Sequence, residues 1–295
     1  MSQVALVRGT DRSANVTAAL AAVADNLDLS SKERIVVKPN FVSTNRPLSA
    51  THVDATRAVI AFLLEHGARH ITLAEGPASG TFAAGLDAYG YRPLIERFGL
   101  SLVDLNQDET LPVEGFDSQL RPRTLRVSRT VLESDMRVSV GPPKTHDGVI
   151  VTLSLKNYAV GSVVGKRMIH EGNQALNLNI YRLARATHPH LAVIDGFVGM
   201  EGDGPTRGTA VDWGIALAST DALALDCLTA RLMGFDPHGV GYLHYALLGG
   251  LGQGEPEEIE ILGSVTPEEV TRPYKPHSTI ASQRIWQVEN VSRYL

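Results

Sequence analysis

The sequence predicts an α/β protein with a mainly parallel sheet and helices on both faces. Short apolar runs alternate with segments of helical periodicity, and several runs are continuous in β-branched residues, as buried parallel strands are. Glycines and prolines punctuate the boundaries between these segments. The predicted strands cover residues 4–7, 34–38, 71–75, 101–105, 136–140, 191–195 and 213–218.

These elements predict one large domain over residues 1–263, with a soft division near residue 130 that would give two lobes. Residues 264–295 are expected to form a tail that packs on the body. No period of about 20 to 50 residues repeats, so a solenoid is not expected.

In the first half of the chain, apolar residues recur at helical spacing over 15–27 and 51–66, with Thr51 as the expected cap of the second helix. A further helix is predicted over 91–98. Residues 106–122 are acidic and turn-rich, which indicates a solvated excursion or hairpin.

In the second half, residues 149–155 are predicted to form a strand or short helix. A helix begins at Asn173 or Asn177, and others are predicted over 221–233 and 240–248. The segment from Gly199 to Thr209 contains four glycines and is predicted to be a loop.

Composition excludes several classes of function. A net charge of −5 argues against a nucleic-acid binder. A single cysteine, Cys227, cannot form an internal disulfide or hold an all-cysteine iron–sulfur cluster. No run of about 18 apolar residues predicts a membrane span. The first residues lack the pattern of a signal peptide, so the cytoplasm is the expected compartment. Whether the chain forms a homo-oligomer stays open.

Lysine is scarce in this chain but concentrated in one stretch. Three of the six lysines, Lys144, Lys156 and Lys166, fall within residues 140–173. A lysine is a compact cation whose pKa moves readily, which suits anion binding and proton transfer. Lys38 and Lys144 both follow predicted strands beside prolines, so we expect them to converge on one crevice at the carboxyl edge of the sheet.

The leading hypothesis is an enzyme of isomerase or lyase type that moves protons on a small anionic metabolite bearing a carboxylate or phosphate. Lys144 receives the central role. The catalytic candidates are Lys144, His146, Lys156, Lys166 and His170. The substrate-binding candidates are Lys38, Asn40, Thr145, Thr152, Asn157, Glu201, Gly202 and Gly204. Asp195, Glu201 and Asp226 are expected to orient these groups or to hold a divalent ion.

Two alternatives remain open. Two pairs, His146 with Asp147 and His170 with Glu171, could bind a divalent metal, although their spacing matches no helix-borne zinc motif. The chain could also be a non-catalytic module that binds an anionic ligand or a protein. A Rossmann enzyme and a serine hydrolase are not expected, because neither a G-x-G-x-x-G nor a G-x-S-x-G motif occurs in the required context.

Taken together, the motifs resemble the family catalogued as domain of unknown function 362, over roughly residues 34 to 250. The segments that carry the resemblance are Lys38-Pro39-Asn40, Pro143-Lys144-Thr145-His146, Leu155-Lys156-Asn157 with Gly161, Lys166 with His170, Val193-Ile194-Asp195-Gly196, Gly199-Met200-Glu201-Gly202 with Gly204-Pro205, and Asp221 with Ala224 and Asp226.

This resemblance implies no general activity. Many relatives in that family look as if they carry an adjoining cysteine-rich, ferredoxin-like segment. This chain departs from them, because it has only Cys227, so it resembles a single-domain member. Its layout is also loosely similar to nickel-dependent lactate racemases, which combine lysines and histidines at a cleft between two lobes; this similarity is an analogy.

Overall fold

A computed structural model describes residues 1–295, apart from the side chain of Arg167. The strands are β1 (Ser2–Arg8), β2 (Ile35–Lys38), β3 (Ile71–Glu75), β4 (Ser101–Asp104), β5 (Thr110–Phe116), β6 (Pro122–Ser128), β7 (Met136–Gly141), β8 (Lys144–His146), β9 (Ile150–Thr152), β10 (Val163–Val164), β11 (Leu191–Glu201), β12 (Thr209–Ser219) and β13 (Ile259–Gly263). The helices are α1 (Arg12–Ala22), α2 (Val53–Glu65), α3 (Phe82–Ala88), α4 (Arg92–Phe98), α5 (Arg129–Leu132), α6 (Ser154–Gly161), α7 (Asn173–Thr187), α8 (Ala222–Leu232), α9 (Gly241–Leu248), α10 (Pro267–Val270) and α11 (Ile280–Gln283). Short 3₁₀ turns lie at Ala24–Asn26, Pro47–Ser49, Lys166–Ile169, Pro237–Gly239, Pro256–Glu258 and Val291–Arg293.

The main sheet has the strand order β13-β1-β12-β11-β7-β2-β3-β4, with β8 and β9 attached beside β11. All neighbours along this order are parallel except β12, which runs antiparallel to both β1 and β11. The prediction of a mainly parallel sheet is therefore confirmed. Strand β12 is the exception because a short connection joins it directly to β11, and two strands joined in this way must be antiparallel.

Helices cover both faces of the main sheet, as predicted. One core packs α1 and α2 against one face, with Leu20 and Ile60 fully buried. The other core packs α7, α8 and α9 against the opposite face, with Leu178 and Leu225 fully buried. Strands from both sides of residue 130 belong to the same sheet, because β7 pairs with β2.

The acidic segment after β4 forms a hairpin, as predicted. Strands β5 and β6 pair antiparallel, and β10 extends them to a second, three-stranded sheet. The amide of Asn179 on α7 accepts from the backbone N–H of Phe116 at 2.7 Å and donates to its carbonyl at 2.8 Å. The hairpin is thereby fixed to the helix that follows the lysine-rich stretch.

Several element boundaries differ from those predicted. Thr51 does not cap α2, because its hydroxyl donates to the carbonyl of Val140 at 2.9 Å; His52 caps the helix instead. The segment predicted as one strand or short helix is divided into β9 and α6, so Lys156 lies inside a helix. The predicted loop over 199–209 is shortened at both ends, since β11 continues to Glu201 and β12 begins at Thr209.

Residues 264–295 run along the body of the protein. The indole N–H of Trp213 donates to the carbonyl of Val270 at 2.7 Å, and Gln283 accepts from the backbone N–H of Ile150. Trp286 is buried against the core formed by α7 to α9. In the described chain, no helix is both long enough and apolar enough to cross a membrane.

Candidate functional site

The site lies where parallel strands β2 and β3 end side by side. Lys38 is the last residue of β2 and Glu75 the last of β3. Both side chains are buried and form an ion pair, and the Lys38 ammonium also donates to Asn157 Oδ1 at 2.8 Å. Burial lowers the pKa of Lys38, and the Glu75 carboxylate opposes this change. This pair fixes the floor of the site.

Helix α6 is held above this floor by contacts at its two ends. At its start, the buried Asp226 carboxylate on α8 accepts from the backbone N–H groups of Ser154 and Leu155 at 2.9 and 2.8 Å. At its end, Gly161 packs on Lys38, and a Cβ at Gly161 would overlap the lysine side chain. Asp226 therefore acts as the cap that orients α6, and burial raises its pKa to about 7.

A cavity of about 230 Å³ opens between α6, the ends of β2 and β3, and the β8–β9 hairpin. The sequence-predicted residues that line it are Asn40, His146, Thr152, Lys156, Asn157, Lys166 and His170. The other lining residues are Val42, Glu75, Gly76, Ala78, Asp147, Val160, Gly161 and Pro205. Residues that the sequence spreads over more than 160 positions thus meet in one small chamber.

Lys156 lies on the helical wall of the cavity. Its side chain is only 6% exposed, and within the described part of the chain its ammonium has no hydrogen-bond partner. Burial lowers its pKa to about 8, while the nearby Asp147 carboxylate acts in the opposite direction. Burying a cation without a partner destabilises the folded state, so such a group is a candidate for binding a ligand.

Lys166 lies at the cavity edge and is held in place. Its ammonium donates to Asn106 Oδ1 at 2.6 Å and to the carbonyl of Val163 at 3.0 Å. Because an ammonium has three N–H donors, one is left for a ligand. Burial lowers the pKa of Lys166 to about 8, with Glu75 acting in the opposite direction.

The two histidines of the cavity carry their protons on different ring nitrogens. His146 Nδ1 accepts from the backbone N–H of Gly148 at 2.9 Å, which places the proton of the neutral ring on Nε2. His170 Nδ1 faces the carbonyl of Lys166 at 2.8 Å and must donate to it, which leaves Nε2 as an acceptor. Burial, together with the charge of Lys156, lowers the pKa of His146 well below its usual value.

Asp147 lies 3.1 Å from His146 Nδ1, a distance that would suit an ion pair. However, the imidazole is neutral and its Nδ1 already accepts a hydrogen bond from Gly148, so this contact is not a charge pair. Burial also lowers the pKa of His170, which lies at the exposed mouth of the cavity.

Lys144, which the sequence suggested as the central residue, does not line the cavity. It is completely buried and donates to Asn40 Oδ1 and to the carbonyl of Ser49. Burial and the charge of Lys156 lower its pKa well below its usual value. Lys144 therefore supports Asn40 from behind, and Asn40 is the residue that reaches the cavity.

Four predicted binding residues do not line the cavity and instead make contacts within the protein. The Thr145 hydroxyl donates to the carbonyl of Gly202 at 2.8 Å, and Gly204 packs directly on Thr145. The Glu201 carboxylate accepts from the backbone N–H of Lys275 at 2.9 Å. The β11–β12 loop thus reaches the cavity through Pro205. The Glu201 carboxylate instead faces the C-terminal tail, residues 264–295. A direct role of Thr145, Glu201, Gly202 and Gly204 in binding stays a prediction.

Asp195 and Glu171, which were candidates for orienting or metal-binding roles, pair with arginines. Asp195 lies 3.1 Å from Arg12, and Glu171 lies 2.7 Å from Arg123. Among the residues that the structure describes, no group of three or more His, Cys, Asp or Glu side chains is arranged to hold a metal ion. The two predicted histidine–acid pairs therefore do not combine into one ligand set.

Sequence reasoning missed two polar residues of the site, Glu75 and Asn106. Glu75 ends a strand in the same way as Lys38, so the same rule about strand ends would have identified it. Asn106 follows β4 and contacts Lys166 from 60 positions away in the chain. No local pattern marks that contact.

Comparisons with known proteins agree with the motif-based resemblance. Residues 35–231 match the family described as "Domain of unknown function (DUF362)". A thylakoid-associated protein of Synechocystis sp. is 26% identical over 214 residues, which cover 70% of this chain and 64% of that protein. The chain thus spans less than two thirds of this relative's length. The lactate racemase apoprotein from Thermoanaerobacterium thermosaccharolyticum aligns with a TM-score of 0.48 and 14% identity, over 75% of this chain and 55% of that chain.

Proposed function

The chain belongs to the family of domain of unknown function 362, and from the site it carries we propose that it is an enzyme acting on a small anionic metabolite. The ligand would bear a carboxylate or phosphate, and the reaction would be a proton transfer of isomerase or lyase type. The single observation that carries this proposal is Lys156, a buried lysine that lines a cavity and has no hydrogen-bond partner among the described residues.

Charge supports an anion as the ligand. The Lys38 cation is balanced by Glu75, whereas Lys156 and Lys166 are both cationic below about pH 8 and have no carboxylate within ion-pair distance in the described chain. An anionic group bound in the cavity would compensate their charge. The cavity volume of about 230 Å³ is large enough for a small metabolite.

The same groups provide acid–base chemistry near neutral pH. A lysine with a pKa of about 8 is protonated in most molecules at pH 7 but exchanges its proton readily, so Lys156 can act as acid or base. His170 Nε2 is a second proton acceptor, at the mouth of the cavity. Lys166 is fixed by two hydrogen bonds and is suited to hold the anionic group.

Binding of inorganic phosphate, measured by titration calorimetry at pH 7, tests the anion site. We expect Lys156→Met to weaken phosphate binding about tenfold or more, because a charge-assisted hydrogen bond is lost. Lys275→Met serves as the matched control, since Lys275 is an exposed lysine outside the cavity. Affinity should also fall as the pH rises through about 8, where both cavity lysines lose their protons. Equal binding by wild type and Lys156→Met would refute the site.

Proton transfer is tested separately by NMR, as exchange of carbon-bound hydrogen for deuterium in D₂O across a panel of small carboxylates and phosphate esters. We expect at least one compound to exchange, and its exchange to be lost in Lys156→Met. Phosphate binding without any exchange would favour the non-catalytic binding module instead.

A further inference from the structure

We infer that Thr152 and His146 form a pair of hydrogen-bond donors for a carbonyl oxygen that gains negative charge, and that the substrate is a small anionic carbonyl compound. This inference rests on the proposed function and narrows its substrate class. It is carried by two polar groups of the cavity wall that have no partner within the described chain.

The β8–β9 hairpin places the two side chains together. In its antiparallel register Lys144 lies opposite Thr152, and His146 lies opposite Ile150. His146 and Thr152 are diagonal neighbours in this register, and both side chains line the cavity. Such neighbours are about 7–8 Å apart at the backbone, and their side chains can reach a single atom between them.

The Thr152 hydroxyl is the first unpartnered group. The side chain is only 3% exposed and lines the cavity, and its Oγ1 has no hydrogen-bond partner in the described chain. Other buried threonines are satisfied: Thr187 donates to the carbonyl of Leu183 at 2.9 Å, and Thr229 to that of Leu225 at 2.7 Å. A buried hydroxyl without a partner is costly, which indicates that a ligand completes its hydrogen bond.

The Nε2–H of His146 is the second unpartnered donor. The hydrogen bond from Gly148 occupies Nδ1, so the ring can only donate from Nε2. Within the described residues no acceptor lies within hydrogen-bond distance of that N–H. The neutral ring keeps this proton and donates it in a hydrogen bond, as a group that stabilises a developing oxyanion should.

Lys156 lines the same cavity as these donors, and together they define a proton-transfer step. In the fraction of molecules in which Lys156 is unprotonated, its amine takes a proton from the carbon next to the carbonyl. The electrons of that C–H bond form a carbon–carbon double bond, and the carbonyl electron pair moves onto the oxygen. Thr152 and His146 donate to this oxygen, while Lys166 holds the anionic group. Return of the proton from Lys156 to carbon completes an isomerisation or exchange.

The tautomer of His146 is the first test, and it needs no ligand. Two-bond ¹H–¹⁵N correlation NMR distinguishes a protonated Nε2 from a protonated Nδ1. We expect His146 to be neutral with its proton on Nε2 from pH 6 to 9, whereas His170 carries its proton on Nδ1. A charged His146, or one protonated on Nδ1, would overturn the inference.

The second test compares pyruvate with isobutyrate, in which a methyl group replaces the carbonyl oxygen. By titration calorimetry the wild type should bind pyruvate about tenfold more tightly than isobutyrate. The methyl group of isobutyrate accepts no hydrogen bond, so the donors of Thr152 and His146 would stay unpaired in that complex. Thr152→Val should remove this preference, Thr152→Ser should retain it, and Thr187→Val, a matched loss of a buried hydroxyl, should leave it unchanged.

A persistent preference in Thr152→Val, or no binding of pyruvate to the wild type, would overturn the inference. The proposed function would survive either result if phosphate still bound in a manner dependent on Lys156. Loss of that dependence would refute the proposed function itself, so the two failures are distinguishable.

Discussion

Replacing Lys156 by methionine should stabilise the protein while it weakens anion binding. Methionine keeps the length of the apolar stem but removes the ammonium. In the folded chain this ammonium is desolvated and lacks a hydrogen-bond partner among the described residues, so its removal relieves a desolvation penalty and breaks no hydrogen bond to them. If Lys156 instead contributed to the stability of the fold, its replacement would destabilise the protein.

The size of the expected stabilisation follows from the pKa of Lys156. Burial lowers this pKa from 10.5 to about 8. At about 1.36 kcal/mol per pKa unit, the charged form is destabilised in the folded state by about 3 kcal/mol. The folded state releases its proton at a lower pH than the unfolded state does. The penalty is therefore fully present below about pH 8 and disappears as the pH rises towards 10.5.

Urea denaturation at pH 7 and pH 10 measures this effect. We expect the free energy of unfolding of Lys156→Met to exceed that of the wild type by about 3 kcal/mol at pH 7 and by about 1 kcal/mol at pH 10. Lys275→Met, which alters an exposed lysine, should differ little from the wild type at either pH. A destabilised Lys156→Met, or a difference that does not change with pH, would refute the reasoning.

Two further substitutions test the groups that build the site. Lys38→Met should lower the free energy of unfolding by about 3 kcal/mol or more in urea denaturation, because it leaves the Glu75 carboxylate buried without its cation; unchanged stability would contradict this pairing. Asp226→Ala should cost about 2 kcal/mol by removing the acceptor for the first N–H groups of α6. Amide hydrogen exchange of Ser154 should accelerate in that variant, and unchanged protection would show that Asp226 does not hold the helix.

Much of the site could be predicted from the sequence because of a general property of parallel sheets. Parallel strands end at a common edge, so polar residues that follow apolar runs gather there. That rule identified Lys38 and Asn40, and the unusual concentration of lysine identified Lys156 and Lys166. The rule cannot say which of these side chains points into a cavity and which is buried behind it.

Lys144 and Lys156 show that the sequence does not determine which lysine side chain enters the cavity. Lys144 and Lys156 look alike in the sequence, since each follows an apolar run beside a polar partner. In the fold, Lys144 is enclosed by Asn40 and Ser49, whereas the first turn of α6 directs Lys156 into the cavity. The sequence pattern did not separate β9 from α6, and therefore did not determine the direction of Lys156.

The sequence by itself determined the family, the α/β class and the edge of the sheet where the site lies, because these depend on local periodicity and on the order of motifs along the chain. Only the tertiary structure decided which groups are paired and which are free. Lys38 is balanced by Glu75, 37 positions away, and Asp226 caps a helix that begins 72 positions earlier. The burial of a charge and the partner that compensates it depend on such distant contacts, and they leave Lys156 and Thr152 without a hydrogen-bond partner among the described residues.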